Sequence, residues 1–204
     1  MTQPGSSGES KSMRHEILTA ARALFISQGY RGLSMSVLAR AVGVSKAALY
    51  YHFQDKEELF LEVLNELLEE IEILVDQVIA NESDSRVQIR ALVVLILAWP
   101  ANQRSVIRLA SQEMFQLGPK ARQKFDRLYH EKFISKIQGI LERGIQAGEL
   151  RPIDPSLATW ALLGMMYPYF YPAHAAEIPP TSMVADQLTR IYLDGLAVSN
   201  PSAG

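Results

Sequence analysis

Apolar residues recur three and four positions apart along most of the chain, and no stretch alternates for long between hairpin turns. The pattern therefore predicts helices and no strands. A first helix is expected over residues 12–28, with Ile17, Leu18, Ala21, Leu24 and Phe25 on one face and Gly29 at its stop. A short second helix starts behind Ser34 as N-cap, carries Leu38, Ala39 and Val42, and is broken by Gly43. A third, capped by Ser45, runs to Phe53, with Leu49 and Phe53 as an apolar pair four residues apart. Asp55 and Glu58 have capping-box spacing and open a fourth helix. Leu59, Val63, Leu67, Ile71, Leu74 and Val78 keep helical spacing to Ala80, a rod of about 37 Å at the standard rise. Further helices are expected over 86–99, stopped by Pro100; over 103–116, before Gly118-Pro119; and over 120–146, ended by Gly148. Those over 156–167 and 183–197 flank a Pro-rich loop around Ile178-Pro179-Pro180, making nine in all.

Composition changes this picture little: the chain has 204 residues, 48% hydrophobic and 21% charged, which suits a packed globular protein without internal repeats. There is no cysteine, so disulfides, thiolate metal sites, cysteine nucleophiles and thiol redox sensing are excluded. Residues 1–10 contain no apolar run and read as an arm without a secretory leader, so a cytoplasmic protein is expected. Two apolar stretches invite a membrane test. Residues 91–99 are too few for a span. Residues 155–176 are long enough, but Ser156, Thr159, Pro168, Pro172 and His174 interrupt them and no basic flank orients them. A buried or interface helix, with no membrane contact, is expected there.

Charge changes it more. The formal net charge of −2 hides a division: residues 1–54 hold six basic and two acidic side chains, and the remaining 150 hold 14 basic and 20 acidic. A basic end is a hint of nucleic acid only when a motif accompanies it. Such a motif lies in residues 32–60. Two short helices meet at a turn containing Gly43, with a third helix before them, which is the layout of a helix-turn-helix. Ala39 and Ala41 supply small residues for the helix contact, and Val44, Leu49 and Phe53 anchor the second helix. Lys46, Tyr50, Tyr51 and His52 are left for its outer face.

Phe25 to Gly29, Leu38-Ala39, Ala41 to Ser45, Leu49-Tyr50-Tyr51-His52-Phe53 and Asp55-Lys56-Glu57-Glu58-Leu59 resemble the DNA-binding region of the TetR family of bacterial transcriptional regulators. The likeness covers residues 14–60; the rest of the chain is similar only in being all helical. It implies an all-α fold in which an N-terminal helix-turn-helix DNA-binding domain (12–54) is joined by a long helix to a C-terminal ligand-binding and dimerisation domain (55–199), with an arm (1–11) and a tail (200–204). It also implies a homodimer on a palindromic DNA operator, a repressor released by a small-molecule effector, and no cofactor.

Carried over residue by residue, the resemblance makes 45–53 the recognition helix, with the Ser45 hydroxyl and first-turn N–H groups on a phosphate. Lys46 reaches a guanine or a phosphate, and Ala47 and Ala48 can press on a thymine methyl. Many relatives have Gly at the position of Ala47. Tyr50 and Tyr51 divide backbone and groove between them, although the Tyr50 ring could instead be half core. His52 is a phosphate donor or an exposed helix histidine. Lys56 looks like a backbone clamp, and Ser34 and Ser36 flank a phosphate site at the start of the second helix. Arg14, Arg22, Arg31 and Arg40 add to the positive field.

A small hydrophobic or aromatic effector is expected, and the candidates for it are the aromatic and methionine-rich set Trp99, Met114, Phe115, Phe133, Trp160, Met165, Met166, Tyr169 and Phe170, each of which reads more readily as core or dimer interface. A dimer face is expected from Leu157, Trp160, Ala161, Leu163, Gly164 and Tyr167 with Leu188, Ile191, Tyr192 and Gly195. The acidic run Glu62, Glu66, Glu69, Glu70, Glu72, Asp76 reads as a solvated face. The four histidines have no metal spacing. The competing reading is an all-helical enzyme or small-molecule carrier. No nucleophile elbow, P-loop, dinucleotide fingerprint or zinc-protease motif supports it.

Overall fold

The computed structural model describes residues 6–171 and 182–196. The arm's first five residues, the Pro-rich loop with His174, and residues 197–204 lie outside the described residues. The elements run α1 (Ser6–Gly32), α2 (Met35–Val42), α3 (Lys46–His52), α4 (Lys56–Asn81), α5 (Ser85–Leu97), α6 (Ala101–Glu113) and a 3-10 turn (Met114–Gln116). There follow α7 (Pro119–Tyr129), a π turn (His130–Ile134), α8 (Ser135–Gln146), α9 (Pro155–Met166), a second 3-10 turn (Tyr167–Phe170) and α10 (Ser182–Leu196). No strand occurs among the described residues. No helix among them is long and apolar enough to cross a membrane.

Two compact units result: one lies within Met1–Leu67 and Ser105–Asp126, the other within Leu68–Arg104 and Arg127–Gly204. Helices α4, α6 and α7 each contribute residues to both. The core of the first unit is built where apolar faces meet: Ile17, Leu18, Ala21 and Phe25 of α1, Leu38 of α2, Leu49 of α3, and Leu59, Phe60 and Val63 of α4 are all buried. Phe25 and Phe60 pack edge to face, with centroids 4.9 Å apart, the arrangement that aromatic quadrupoles favour. Val106, Leu109, Leu117 and Ala121, from α6, the connector and α7, are buried in the same unit.

In the second unit α5 packs on α8 and α10, and α8 on α9. Ser85, at the start of α5, donates its backbone N–H to Glu149 at 2.9 Å. A Cβ added at Gly144 of α8 would sit 2.8 Å from both the Ser85 Cβ and the Leu150 Cδ1. The close approach of α5 and α8 therefore depends on the missing side chain. Gly144→Ala is expected to lower stability by roughly 1–3 kcal/mol, read as a lower melting temperature in circular dichroism; an unchanged melting temperature would contradict that packing.

Several expectations need correction. Helix α1 begins at Ser6, inside the expected arm. Its run continues past the expected stop but kinks at Gly29 (φ 72°). Pro100 does not merely stop α5, which already ends at Leu97; its carbonyl accepts the Gln103 and Arg104 N–H groups and starts α6. The expected helix over 120–146 is interrupted by the π turn, and the capping of α4 is shifted. Asp55 accepts from the Glu58 N–H at 2.8 Å, but the Glu58 carboxylate closes on the Gln54 N–H at 2.6 Å. The acidic face of α4 is not simply solvated. Lys132, in the π turn, pairs with Glu69 (3.5 Å) and Glu72 (3.2 Å); Lys136, one turn on, pairs with Glu72 (3.4 Å) and Asp76. Opposite charge thus reaches α4 from a segment some 60 residues away, which periodicity cannot reveal.

Candidate nucleic-acid interface

The helix-turn-helix is closed by its caps. The Ser34 hydroxyl accepts from the Val37 N–H at 3.3 Å and that of Ser45 from the Ala48 N–H at 3.1 Å. Between them Gly43 takes φ 78°, ψ 24°, a left-handed conformation that side chains resist. This lets the Val44 N–H return to the Ala39 carbonyl at 2.9 Å and ends α2. A capping hydroxyl uses a lone pair on the helix and keeps its proton for an outside acceptor. Both serines thus remain able to donate to a phosphate oxygen.

Helix α3 has one buried residue, Leu49. Everything else on it is available: Lys46 and Ala47 are exposed, Ala48 and His52 are half-buried, and Tyr50 and Tyr51 are 49% and 82% exposed. The Tyr51 ring meets His52 edge-on with centroids 5.3 Å apart, which makes the two a single aromatic projection. At 49% exposure the Tyr50 side chain is half covered, as a half-core ring with an outward hydroxyl would be. Ser36, in the first turn of α2, is half-buried. No acidic residue lies in the first turn of α2 or α3. The outer face thus offers a cation, hydroxyls, rings and small side chains with no carboxylate in those turns to repel a phosphate.

The remaining basic side chains divide. Lys56 Nζ donates to the Tyr30 carbonyl at 2.9 Å and lies 4.3 Å from the centre of the Tyr30 ring. Its charge therefore helps to hold the end of α1. Burial, and then the carboxylates of Glu57 and Asp55, push the Tyr30 phenol above its usual pKa. Arg14 is not a free contributor to the field: it pairs with Glu62 at 2.9 Å and stacks over Phe53 at 5.0 Å. Arg31 donates to Gln116 at 2.7 Å. Arg22 is half-buried, and Arg40 and Lys11 are exposed.

The effector candidates separate. Trp99, Phe133 and Met166 are buried in the second unit, and Met165, Tyr169 and Phe170 are half-buried there. Trp160 is 53% exposed. Met114 and Phe115 belong to the first unit, where Phe115 is 77% exposed and faces the Arg122 guanidinium at 6.0 Å. Tyr129, which is not among the sequence candidates, stacks near Phe133 with centroids 5.7 Å apart, and burial pushes its phenol up to about 12. It lies four residues from both Phe125 and Phe133, a helical spacing that marks it in the sequence. Three hydroxyls in the second unit bond backbone carbonyls: Thr159 and Thr189 donate to those four residues back, and Tyr192 donates to that of Ala158, 34 residues away, at 2.9 Å. Tyr192 is thus core rather than part of an outer face. No group of three or more acidic or histidine residues among the described residues is placed to hold a metal.

Residues 17–63 match the model of bacterial regulatory proteins of the tetR family, and residues 82–168 match a tetracyclin repressor-like C-terminal domain. Among relatives, the HTH-type transcriptional repressor KstR2 of Rhodococcus jostii is 29% identical over 204 residues, covering 97% of this chain and 98% of that one. The nucleoid occlusion factor SlmA of Aliivibrio fischeri is 30% identical over 156 residues, or 75% of this chain and 79% of its own. Among solved structures, AibR in complex with isovaleryl coenzyme A and operator DNA is 26% identical with a TM-score of 0.71, covering 88% of this chain and 97% of that one. With matches to both parts of the chain, and a helix-turn-helix whose caps and outer face are formed as described, the protein belongs to the TetR family of bacterial transcriptional regulators and is a ligand-responsive DNA-binding regulator rather than an enzyme.

Proposed function

We propose that the chain acts in the cytoplasm as a homodimeric repressor that reads a palindromic operator through α3 and is released by an acyl thioester of coenzyme A. The observation that carries the DNA part is the outer face of α3, where Lys46, Tyr50, Tyr51 and His52 stand around one buried anchor, Leu49. In this reading Ser34, Ser36 and Ser45 donate to phosphates, Ala47 and Ala48 lie against the groove, and Lys56 reaches the backbone from the first turn of α4. Residues 12–54 form the reading domain. The effector class is supported by AibR, which holds isovaleryl coenzyme A, and by the buried Trp99, Phe133 and Met166, which suit an apolar chain.

Selection from random duplex DNA tests the reading: an inverted repeat should emerge, with half-sites about 34–36 Å apart or a multiple of that spacing. Enrichment of no sequence would refute it. Isovaleryl coenzyme A and longer acyl thioesters, added to the bound duplex, should release it where the free acids do not.

The dimer is supported by a stripe on α9. Leu157 (63% exposed), Trp160, Ala161, Gly164 and Tyr167 follow helical spacing on its outer side, while Ala158, Thr159, Leu162 and Met166 face the core. Ile191 and Gly195 of α10 are exposed as well, and Leu163 and Leu188 are half-buried. Leu157→Glu removes up to about 3 kcal/mol of apolar burial per copy and adds a charge to the interface. Sedimentation should then show a monomer and a weakened operator complex; an unchanged dimer would place the interface elsewhere.

A further inference from the structure

The first unit contains contacts that the reading face does not use. Residues 113–118, which join α6 to α7, are held by two hydrogen bonds, from Arg31 and to Glu57, and pass close to Gly29. Arg31 Nε donates to Gln116 Oε1 at 2.7 Å. The Gly118 N–H, at the start of α7, donates to Glu57 Oε1 at 2.6 Å. At Gly29 (φ 72°) an added Cβ would meet Glu113 Oε1 at 3.0 Å. Each of these residues adjoins the reading machinery. Gly29 and Arg31 flank Tyr30, whose carbonyl takes the Lys56 ammonium at 2.9 Å, and Glu57 is the next residue after Lys56. The two short segments that fix Lys56, the end of α1 and the first turn of α4, are therefore the same two that grip the connector.

A carboxylate on an N–H at a helix start is a charge-assisted bond aligned with the helix dipole, and this one is part-buried. It is short and directional, so a small displacement of the connector breaks it or drags the first turn of α4 along. We propose that Glu57 is a positioning residue for operator binding: through Gly118, and backed by Arg31 and Gln116, it ties the placement of Lys56 and the end of α1 to the 113–118 connector, which thereby sets operator affinity from outside the reading face. The inference rests on the DNA-binding reading above.

The test uses the full chain and the duplex selected by wild type, with Glu57→Ala, Glu57→Gln, Gly118→Ala and the double variant Glu57→Ala/Gly118→Ala. Glutamine keeps an acceptor for the Gly118 N–H and should bind the operator like wild type. Glu57→Ala should bind about tenfold more weakly, within the usual range of coupling between sites, at a temperature where circular dichroism shows it folded. A purely stabilising Glu57 would lower the melting temperature and leave the affinity of the folded chain untouched. The Cβ of Gly118→Ala would sit 3.3 Å from Glu57 Oε1, so it should weaken binding when Glu57 is present and be silent beside Ala at 57. Wild-type affinity in folded Glu57→Ala, or an equal cost of Gly118→Ala in both backgrounds, overturns the proposal. Hydrogen exchange reads the contact without DNA. The Gly118 amide should exchange faster in Glu57→Ala and not in Glu57→Gln, and unchanged exchange in Glu57→Ala also overturns it. A wild-type chain that selects no duplex would overturn the DNA-binding reading, and the exchange result would then decide this one.

Discussion

Replacing Lys46 with alanine is expected to weaken operator binding by roughly 1–3 kcal/mol and to reduce the slope of log K against log salt by about one. The ammonium stands at the first position of α3, exposed, with no acidic residue in that turn. A phosphate bound there would also meet the free N–H groups of the helix start and the Ser45 hydroxyl, whose lone pair already serves Ala48. No other lysine or arginine lies on this helix, so the lost charge has no substitute on it. The salt slope separates this effect from a structural one: a loosened head loses affinity at every salt concentration alike, whereas a lost phosphate contact releases one fewer counterion. Operator variants settle what Lys46 touches. A uniform loss across them assigns a phosphate, and a loss of discrimination at one base pair assigns a guanine edge. An unchanged slope would remove Lys46 from the interface.

Leu49→Ala should have the largest effect on the reading domain although Leu49 faces away from DNA. It is the one buried residue of a seven-residue helix, too short to hold its shape without tertiary packing. Truncating a buried leucine costs about 2–5 kcal/mol, a large share of the roughly 5–15 kcal/mol that stabilises a typical domain. Thermal unfolding should show the first unit melting at lower temperature and separating from the second, and operator binding should fall before global unfolding begins. Binding that survives at wild-type strength with an unchanged melting curve would mean that α3 is anchored elsewhere, Phe53 being the next candidate at 1% exposure.

The two predictions use different parts of what the chain encodes. The start and stop of α2 and α3 follow from residues adjacent to them: Ser34 and Ser45 accept first-turn N–H groups, and Gly43 takes the left-handed turn. Such contacts close within four residues, so spacing alone exposes them. Leu49 and Phe53 at i and i+4, and the outward Lys46, Tyr50 and Tyr51, follow from the same local geometry. Local signals failed wherever a distant segment intervened. Arg14 reads as a free positive charge until Glu62, 48 residues on, pairs with it. The acidic face of α4 reads as solvated until Lys132 and Lys136 reach it from the π turn and α8. Trp160 and Tyr192 read alike as apolar interface residues. Packing places the first on the outer side of α9 and the second inside, with its hydroxyl on Ala158.

The sequence by itself determined α2 and α3, their caps and the kinds of side chain their outer faces carry, because each depends on residues within a turn or two of one another. Only the tertiary structure decided that residues 105–126 pack in one compact unit with residues 1–67, that Lys56 is tied to Tyr30, and that Glu57 and Arg31 grip the connector between α6 and α7. Those pairings span 26 to 85 residues of chain, and they form only where the packed apolar faces bring polar groups within hydrogen-bond reach.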